Sequence, residues 1–179
     1  MAFRKSKAML IGCSAVTIAG VANFIREPLF GGPEYEGSEN LFGRTYVITG
    51  ANSGIGRATA DVLAGRGARL ILACRNEEEG LKAQEEIVKN TYNKQVVYKH
   101  LDLSSLSSIR GFASDLVVNE TRIDGLVNNA GVKELKTREV TGDGFELQFG
   151  VNHLGHFLLT YLLIGQLSDW KTGSVVLIR

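Results

Sequence analysis

Residues 45–56 have the sequence TYVITGANSGIG, in which a short β-rich run leads directly into a glycine-rich loop. Apolar residues at helical spacing begin at Ile55, so a helix is predicted to follow the loop. Gly50 permits the tight turn out of the strand, Gly54 lets a pyrophosphate approach the backbone, and Gly56 lets the helix pack closely on the strand. The amide groups at the start of that helix, together with its dipole, favour phosphate. The order of strand, loop and helix predicts a dinucleotide-binding site, and a glycine turn without a ligand is the alternative.

The rest of the chain repeats this alternation of strand and helix. Short β-rich runs predict strands at residues 45–49, 69–73, 95–99, 123–127 and 174–178. Helical spacing predicts helices at residues 55–66, 77–90, 105–119 and 142–163, the third of them entered from a serine-rich capping turn. Alternating strands and helices form a parallel sheet covered on both faces, and right-handed crossovers leave the doubly wound arrangement. We therefore expect an α/β fold over residues 43–179, with a Rossmann-type doubly wound parallel sheet of about five strands.

The end of the second predicted strand indicates which dinucleotide is preferred. This strand leads into Cys74 and Arg75. An acidic residue at this point bonds the ribose 2′-hydroxyl in sites that prefer NAD, whereas Arg75 offers a cation to a 2′-phosphate. The sequence therefore favours NADP(H) over NAD, and the alternative is a solvated surface arginine. Arg57 either assists at this site or has a surface role.

Composition excludes several other classes of protein. The chain has 179 residues, enough for one domain, with 44% hydrophobic and 22% charged residues, as is typical of a globular protein. The net charge of +1 does not suggest a nucleic-acid partner. Cys13 and Cys74 are interpreted as reduced structural residues, and the three histidines are not spaced as metal ligands.

The first 26 residues are predicted to lie outside the folded domain. Arg4, Lys5 and Lys7 precede an uncharged run at residues 8–25, which is 18 residues long, and about 17–25 residues are needed to span a bilayer. A signal anchor, a cleaved signal peptide and a mitochondrial routing segment are the competing interpretations. Residues 27–42 are rich in Gly, Pro and Glu, which is typical of a linker.

Motifs further along the chain resemble those of a known family. Residues 49–56 match the TGxxxGxG motif of short-chain dehydrogenases/reductases, and further matches follow in order at Asp102-Leu103, Asn128-Asn129-Ala130-Gly131 and Asn152. The resemblance covers residues 43–179. Stretches such as LACR, LVNNAGV and GVNHLGHFLLT are most similar to the retinol dehydrogenase branch, and residues near 20–32 to its mitochondrial member. This branch is membrane-attached, prefers NADP(H) and interconverts small hydrophobic retinol-like alcohols with their aldehydes or ketones.

The resemblance implies a role for each matching residue. The pyrophosphate would be held by the loop residues Gly50, Ala51, Asn52, Ser53, Gly54, Ile55 and Gly56. Arg75 would meet the 2′-phosphate, and Asp102 and Leu103 would hold the adenine. The nicotinamide ribose side would be lined by Asn129, Ala130 and Gly131. Asn128 would tie neighbouring strands together, and Asn152 would support a proton-relay water near a catalytic lysine. The family assigns no chemistry to His153 or His156.

The family's proton donor is not found in these 179 residues. Transfer of hydride to a carbonyl needs a proton donor, for which the family uses a Tyr with a Lys four residues later, together with a Ser. None of the five tyrosines here has a Lys at that spacing. We therefore expect this chain to be inactive as given, and a membrane-tethered nucleotide-binding fragment is the alternative function. Homodimers are expected only for a longer chain.

Two further expectations concern solubility and location. The fifth strand would be an open sheet edge, and the helix at residues 142–163 would expose an apolar face, so poor solubility is expected. Attachment through residues 8–25 would place the protein at the mitochondrial inner membrane or the endoplasmic reticulum.

Overall fold

The structure, a computed structural model, describes residue 37, residues 39–133 and 137–167, and the backbone of residues 174–177. The predicted membrane or targeting segment and nearly all of residues 27–38 lie outside these residues. Within the described part of the chain, no helix combines the length and the apolarity needed to cross a membrane.

The centre of the fold is a parallel sheet of five strands. The strands are β1 (Thr45–Thr49), β2 (Arg69–Cys74), β3 (Val96–His100), β4 (Gly125–Asn128) and β5 (Ser174–Leu177). Their order in the sheet is β3-β2-β1-β4-β5, and every neighbouring pair is parallel. The order reverses between β1 and β4, which is where open α/β sheets bind ligands at the carboxyl ends of their strands. The predicted doubly wound fold is confirmed.

The helices lie close to their predicted positions, with one exception. They are α1 (Gly54–Gly65), α2 (Glu77–Thr91), α3 (Leu106–Asn119), α4 (Leu147–Phe149), a π-helical segment (Gly150–Gly155) and α5 (His156–Leu163). The predicted capping turn before α3 is confirmed, since the Ser105 hydroxyl accepts a hydrogen bond from the Ser108 amide at 3.3 Å.

The exception is the predicted helix at residues 142–163, whose first five residues are not helical. Gly144 has φ +86° and its amide donates to the Thr141 carbonyl at 2.9 Å, so this stretch forms a turn. The helix begins only after Glu146, whose carboxylate accepts hydrogen bonds from the Gln148 and Phe149 amides, both at 2.8 Å. These backbone hydrogen bonds lower the pKa of Glu146. The prediction that most of residues 142–163 are helical is confirmed for residues 147–163, and the N-cap at Glu146 sets the later start.

Two apolar clusters cover the two faces of the sheet. Successive strand residues point to opposite faces, so Val47 belongs to one cluster and Ile48 to the other. The first cluster joins the sheet to α3 and α5, through residues that include Ile109, Leu116, Leu159 and Leu163. The second joins it to α1 and α2, through Ala60, Ala64, Ala83 and Ile87. These two layers hold in place the carboxyl ends of β1 and β4, which lead into the loops of the candidate site.

Candidate functional site

A cleft of about 1100 Å³ opens at the carboxyl ends of β1 and β4. Most of the residues predicted for the site line it, namely Gly50, Asn52, Ser53, Gly54, Ile55, Arg75, Asp102, Leu103, Asn129, Ala130, Gly131 and Asn152. The two exceptions, Ala51 and Gly56, are buried beneath the glycine-rich loop. The sheet therefore brings together residues as far apart in the sequence as Gly50 and Asn152.

The three glycines of the loop have different surroundings. A Cβ on Gly50 would lie 2.9 Å from the Ala130 Cα, and one on Gly56 would lie 2.6 Å from the Gly50 carbonyl oxygen. A Cβ on Gly54 would meet nothing within 4 Å. Gly50 and Gly54 also have positive φ angles of +65° and +56°. The first and third glycines therefore permit close packing, whereas the second leaves open space for a ligand to approach the backbone.

The start of α1 is available to an anion. Ser53 occupies the N-cap position, but its side chain makes no capping hydrogen bond and is exposed. The amide groups of the first turn have no partner within a helix, and they carry the positive end of the helix dipole. This arrangement, beside the open space at Gly54, is suited to bind a phosphate.

Arg75 lines the cleft directly after β2. Its side chain is exposed, and no hydrogen bond or ion pair to it is found among the described residues. Arg57, by contrast, forms ion pairs with Asp61 at 3.1 Å and Glu86 at 2.9 Å, so it has a structural role on the α1–α2 surface. Of the two arginines, only Arg75 lines the cleft.

Sequence reasoning missed three residues near Arg75. Asn76 caps α2 by accepting a hydrogen bond from the Glu79 amide, and the Glu79 carboxylate accepts one from the Asn52 side chain at 2.8 Å. Cys74 also lines the cleft, and burial raises the pKa of its thiol. The Asn followed by three Glu residues at 76–79 is a helix-start signal that could have identified Asn76 and Glu79.

Asp102 and Leu103 follow β3 at the wall of the cleft. One carboxylate oxygen of Asp102 accepts hydrogen bonds from the Ser104 amide at 2.9 Å and the Ser104 hydroxyl at 2.7 Å. The Asp102 amide donates to the Ser108 hydroxyl at 3.0 Å, which ties this turn to α3. Leu103 is buried and contributes to the apolar cluster beneath the cleft. These hydrogen bonds fix the backbone of the turn, and they occupy one carboxylate oxygen of Asp102.

The link between neighbouring strands that was expected of Asn128 is made by Asn129. Asn128 is buried and donates to the Thr160 hydroxyl of α5 at 3.0 Å, and its side-chain oxygen has no partner in the described part of the chain. The side-chain NH₂ of Asn129 joins β4 to β1, since it donates to the Thr49 carbonyl at 2.9 Å and the Gly50 carbonyl at 3.3 Å. Alternate side chains of a strand face opposite sides, so Asn128 faces the helix and Asn129 the glycine-rich loop.

Thr49 is a central residue of the site for which the sequence suggested no role. Its buried hydroxyl accepts hydrogen bonds from the Asn129 and Ala130 amides, both at 2.9 Å. The same oxygen lies 2.9 Å from Nε2 of His156, which is also buried. The Thr at the start of the TGxxxGxG motif was a signal that could have been used.

Asn152 lies in the π-helical segment and faces the residue after Gly131. Its side-chain oxygen accepts from the Val132 amide at 2.8 Å, and its NH₂ donates to the Val132 carbonyl at 2.9 Å. Each polar atom of the side chain therefore already has a partner in this structure. π-helical segments of this kind are frequent at functional sites. His153 also lines the cleft, where its ring stacks on Phe149 at a centroid distance of 5.2 Å.

The reversal point of a parallel sheet, the glycine-rich loop and the cleft above them define a Rossmann-type dinucleotide-binding protein. A family model described as short chain dehydrogenase matches residues 44–179. The chain belongs to the short-chain dehydrogenase family.

Human retinol dehydrogenase 13 is 48% identical over 160 residues, which are 89% of this chain and 48% of that relative. Bovine retinol dehydrogenase 12 is 51% identical over 136 residues, which are 76% of this chain and 43% of that relative. A short chain dehydrogenase from Shigella flexneri, solved with NADP, is 31% identical with a TM-score of 0.66. The match covers 78% of this chain and 59% of the Shigella chain. The chain spans about half the length of the curated relatives it matches. The resemblance inferred from the motifs is confirmed.

Proposed function

We propose that this chain forms the NADP(H)-binding part of an oxidoreductase that interconverts a retinol-like alcohol with its aldehyde or ketone. The observation that carries the proposal is the cleft itself, which is lined by the glycine-rich loop after β1 and by the exposed Arg75 after β2. The relatives named as retinol dehydrogenases support the substrate class, and the family member solved with NADP supports the cofactor.

The cleft has features that fit NADP(H). Gly54 and the first turn of α1 leave space and amide donors for a pyrophosphate. Arg75 would meet the 2′-phosphate, since its guanidinium has no partner among the described residues and suits bidentate phosphate contacts. The Asp102-Leu103 turn, which follows the edge strand β3 and lines the cleft, would hold the adenine.

The other end of the cleft would receive the nicotinamide ribose. Ala130 and Gly131 line it, together with Val132 and Asn152, which are hydrogen-bonded to each other. The nicotinamide supplies or accepts the hydride when bound, and the protein supplies binding and orientation. A role for Asn152 in proton relay would use its backbone or a rearranged side chain, because its side-chain atoms are engaged with Val132.

The location and assembly of the protein form part of the same proposal. Residues 8–25 would attach the protein to a membrane, either the mitochondrial inner membrane or the endoplasmic reticulum. The high identity to retinol dehydrogenase 13 supports membership of this group of proteins. Homodimer formation is proposed for the whole protein only.

A second candidate is a protein that binds the dinucleotide without turning it over. The observation that favours it is the lack of any Tyr with a Lys four residues later in these 179 residues. The two candidates differ in one assay, the oxidation of retinol by the chain with NADP. Turnover above the rate without protein would exclude the second candidate, and binding without turnover would support it.

Cofactor titration of Arg75 variants tests the binding proposal. Charge-assisted hydrogen bonds contribute about 1.5–3 kcal/mol, so Arg75→Ala should weaken NADPH binding about ten- to hundredfold and leave NADH binding unchanged. Arg110→Ala is the matched control, because Arg110 is an exposed arginine that does not line the cleft. Equal losses for both cofactors in Arg75→Ala, or a similar loss in Arg110→Ala, would contradict the proposed 2′-phosphate contact.

A further inference from the structure

His156 is a buried histidine that contacts two residues of the candidate site. It is the first residue of α5, and its residue surface is only 4% exposed. Its Nε2 lies 2.9 Å from the Thr49 hydroxyl oxygen, and its Nδ1 lies 3.2 Å from the Asn152 carbonyl oxygen. One ring therefore joins the strand before the glycine-rich loop to the segment that carries Asn152.

These two contacts define which ring nitrogen carries the proton. A carbonyl oxygen can only accept, so Nδ1 must donate to Asn152. In a neutral ring Nε2 then has a lone pair and accepts the hydrogen of the Thr49 hydroxyl. Burial lowers the pKa of His156, opposed by the Asn152 carbonyl, and this agrees with a neutral ring.

The direction of the Thr49 hydroxyl decides how well it holds the next loop. Its single hydrogen has two possible acceptors, Nε2 of His156 at 2.9 Å and the Val127 carbonyl at 3.4 Å, and the shorter contact is the stronger one. With the hydrogen on His156, both lone pairs of the hydroxyl oxygen remain for the amides of Asn129 and Ala130 at 2.9 Å. The hydroxyl then makes three good hydrogen bonds.

We propose that His156 is a positioning residue for the cofactor cleft: its Nδ1-protonated neutral ring orients the Thr49 hydroxyl, which holds the Asn129–Ala130 loop at the nicotinamide end. This inference rests on the proposed function, because that loop was assigned to the nicotinamide ribose. His156 does not line the cleft and touches no ligand position. It acts only through Thr49 and through the Asn152 carbonyl.

His156 and Arg75 should affect cofactor binding in different ways. The loop held by Thr49 lies at the end of β4, whereas Arg75 follows β2. Loss of His156 should therefore weaken NADPH and NADH by the same factor, with no change in their ratio. Binding of 2′-AMP, which reaches only the Arg75 end, should be nearly unaffected.

The first test needs neither a variant nor a cofactor. Nitrogen NMR of the ¹⁵N-histidine-labelled full chain at pH 7.5 should show His156 with a protonated Nδ1 and an unprotonated Nε2. A ring protonated at Nε2, or at both nitrogens, would overturn the proposal. This outcome is independent of cofactor binding, so it remains informative if the wild-type chain binds neither NADPH nor NADH and the proposed function fails.

The second test uses variants of both partners. In His156→Phe, amide exchange at Asn129 and Ala130 should be about three- to tenfold faster, the range that corresponds to a typical net hydrogen bond. Both cofactors should bind weaker by a similar factor. His100→Phe is the matched control, because His100 is exposed, does not line the cleft and does not contact Thr49. Unchanged exchange in folded His156→Phe, or equal effects in the control, would overturn the proposal.

Substitutions of Thr49 distinguish positioning from bulk packing. Thr49→Ser keeps the hydroxyl and should bind both cofactors like the wild type, whereas Thr49→Val keeps the shape and should lose affinity. In the His156→Phe background, Thr49→Val should have a smaller further effect, since the two residues act through one hydroxyl. Additive losses in this double-mutant cycle would show independent packing roles and overturn the proposal.

Discussion

At the scale of single residues, the site depends on where each backbone approaches its neighbour. Gly50 and Gly54 share a positive φ, but only at Gly50 would a Cβ come within contact distance of another backbone. The identity of the glycines was readable from the sequence, because the motif needs them at these places. The roles of Asn128 and Asn129 were not readable, because they depend on which side of the sheet each side chain faces.

Replacement of the two glycines should separate stability from binding. Gly54→Ala should cost about 1–2 kcal/mol from its positive φ and should weaken NADPH binding, since the methyl group enters the open part of the cleft. Gly50→Ala should lower the free energy of unfolding more, because its methyl group also meets the Ala130 backbone at 2.9 Å. Urea unfolding and NADPH titration measure both effects. A larger loss of stability in Gly54→Ala than in Gly50→Ala would contradict this account.

The buried His156 should make stability depend on pH. Burial lowers the pKa of His156 in the folded state below its ordinary value of 6.5. Between these two pH values the unfolded chain binds more protons than the folded chain. The contribution of His156 to the free energy of unfolding is therefore complete above about pH 6.5 and is lost as the pH drops toward the folded-state pKa. Urea unfolding between pH 5 and 8 measures this slope, which His156→Gln should reduce. An equal slope in His156→Gln and the wild type would argue against His156 as the source.

At the scale of elements, local signals located most strands and helices to within one or two residues. The Ser105 cap of α3 and the glycine-rich entry to α1 were visible because their chemistry is local. The start of α4 and the π-helical segment at Gly150–Gly155 were not predicted. The first was hidden by apolar residues that continued the helical spacing through a turn. The second packs closely on residues distant in the sequence, since a Cβ on Gly155 would lie 2.6 Å from the Leu103 carbonyl oxygen, and sequence spacing does not report such contacts.

The cap of α3 gives a test at this scale. Ser105→Ala removes the acceptor for the Ser108 amide and should lower the free energy of unfolding by about 1 kcal/mol. Ser105→Asp keeps an acceptor at the N-cap and should stay close to the wild type. Urea unfolding of the three proteins measures the difference. Equal stabilities for the Ala and Asp variants would mean that the cap does not stabilise the helix.

At the scale of the whole molecule, the side of α5 that faces away from the core is strongly apolar. Phe157, Tyr161 and Ile164 are 65% to 66% exposed, and their spacing places them on neighbouring turns. This bears out the expected apolar face of the helix. Strand β5 also pairs only with β4 among the described strands, so it forms the edge of the sheet.

The exposed apolar face of α5 and the edge strand β5 predict that the isolated chain is poorly soluble. We expect it to aggregate and to unfold below about 55 °C, the middle of the ordinary range for mesophile domains. The double variant Phe157→Glu and Tyr161→Lys leaves the net charge unchanged and should reduce aggregation, as measured by light scattering. Val118→Lys is the control, because Val118 is 80% exposed on a different helix. Equal improvement in the control, or a melting temperature well above 55 °C, would contradict this prediction.

The hydrogen bonds between Thr49 and the loop after β4 join residues 80 positions apart in the chain. During synthesis at about 5–20 residues per second, roughly 4–16 s separate the appearance of these two partners. The glycine-rich loop therefore emerges from the ribosome well before the segment that buttresses it. Stabilisation of the fold by a bound dinucleotide should therefore become complete only once β4 has joined β1. Cofactor capture by ribosome-bound chains of increasing length would report the moment at which this long-range pairing forms.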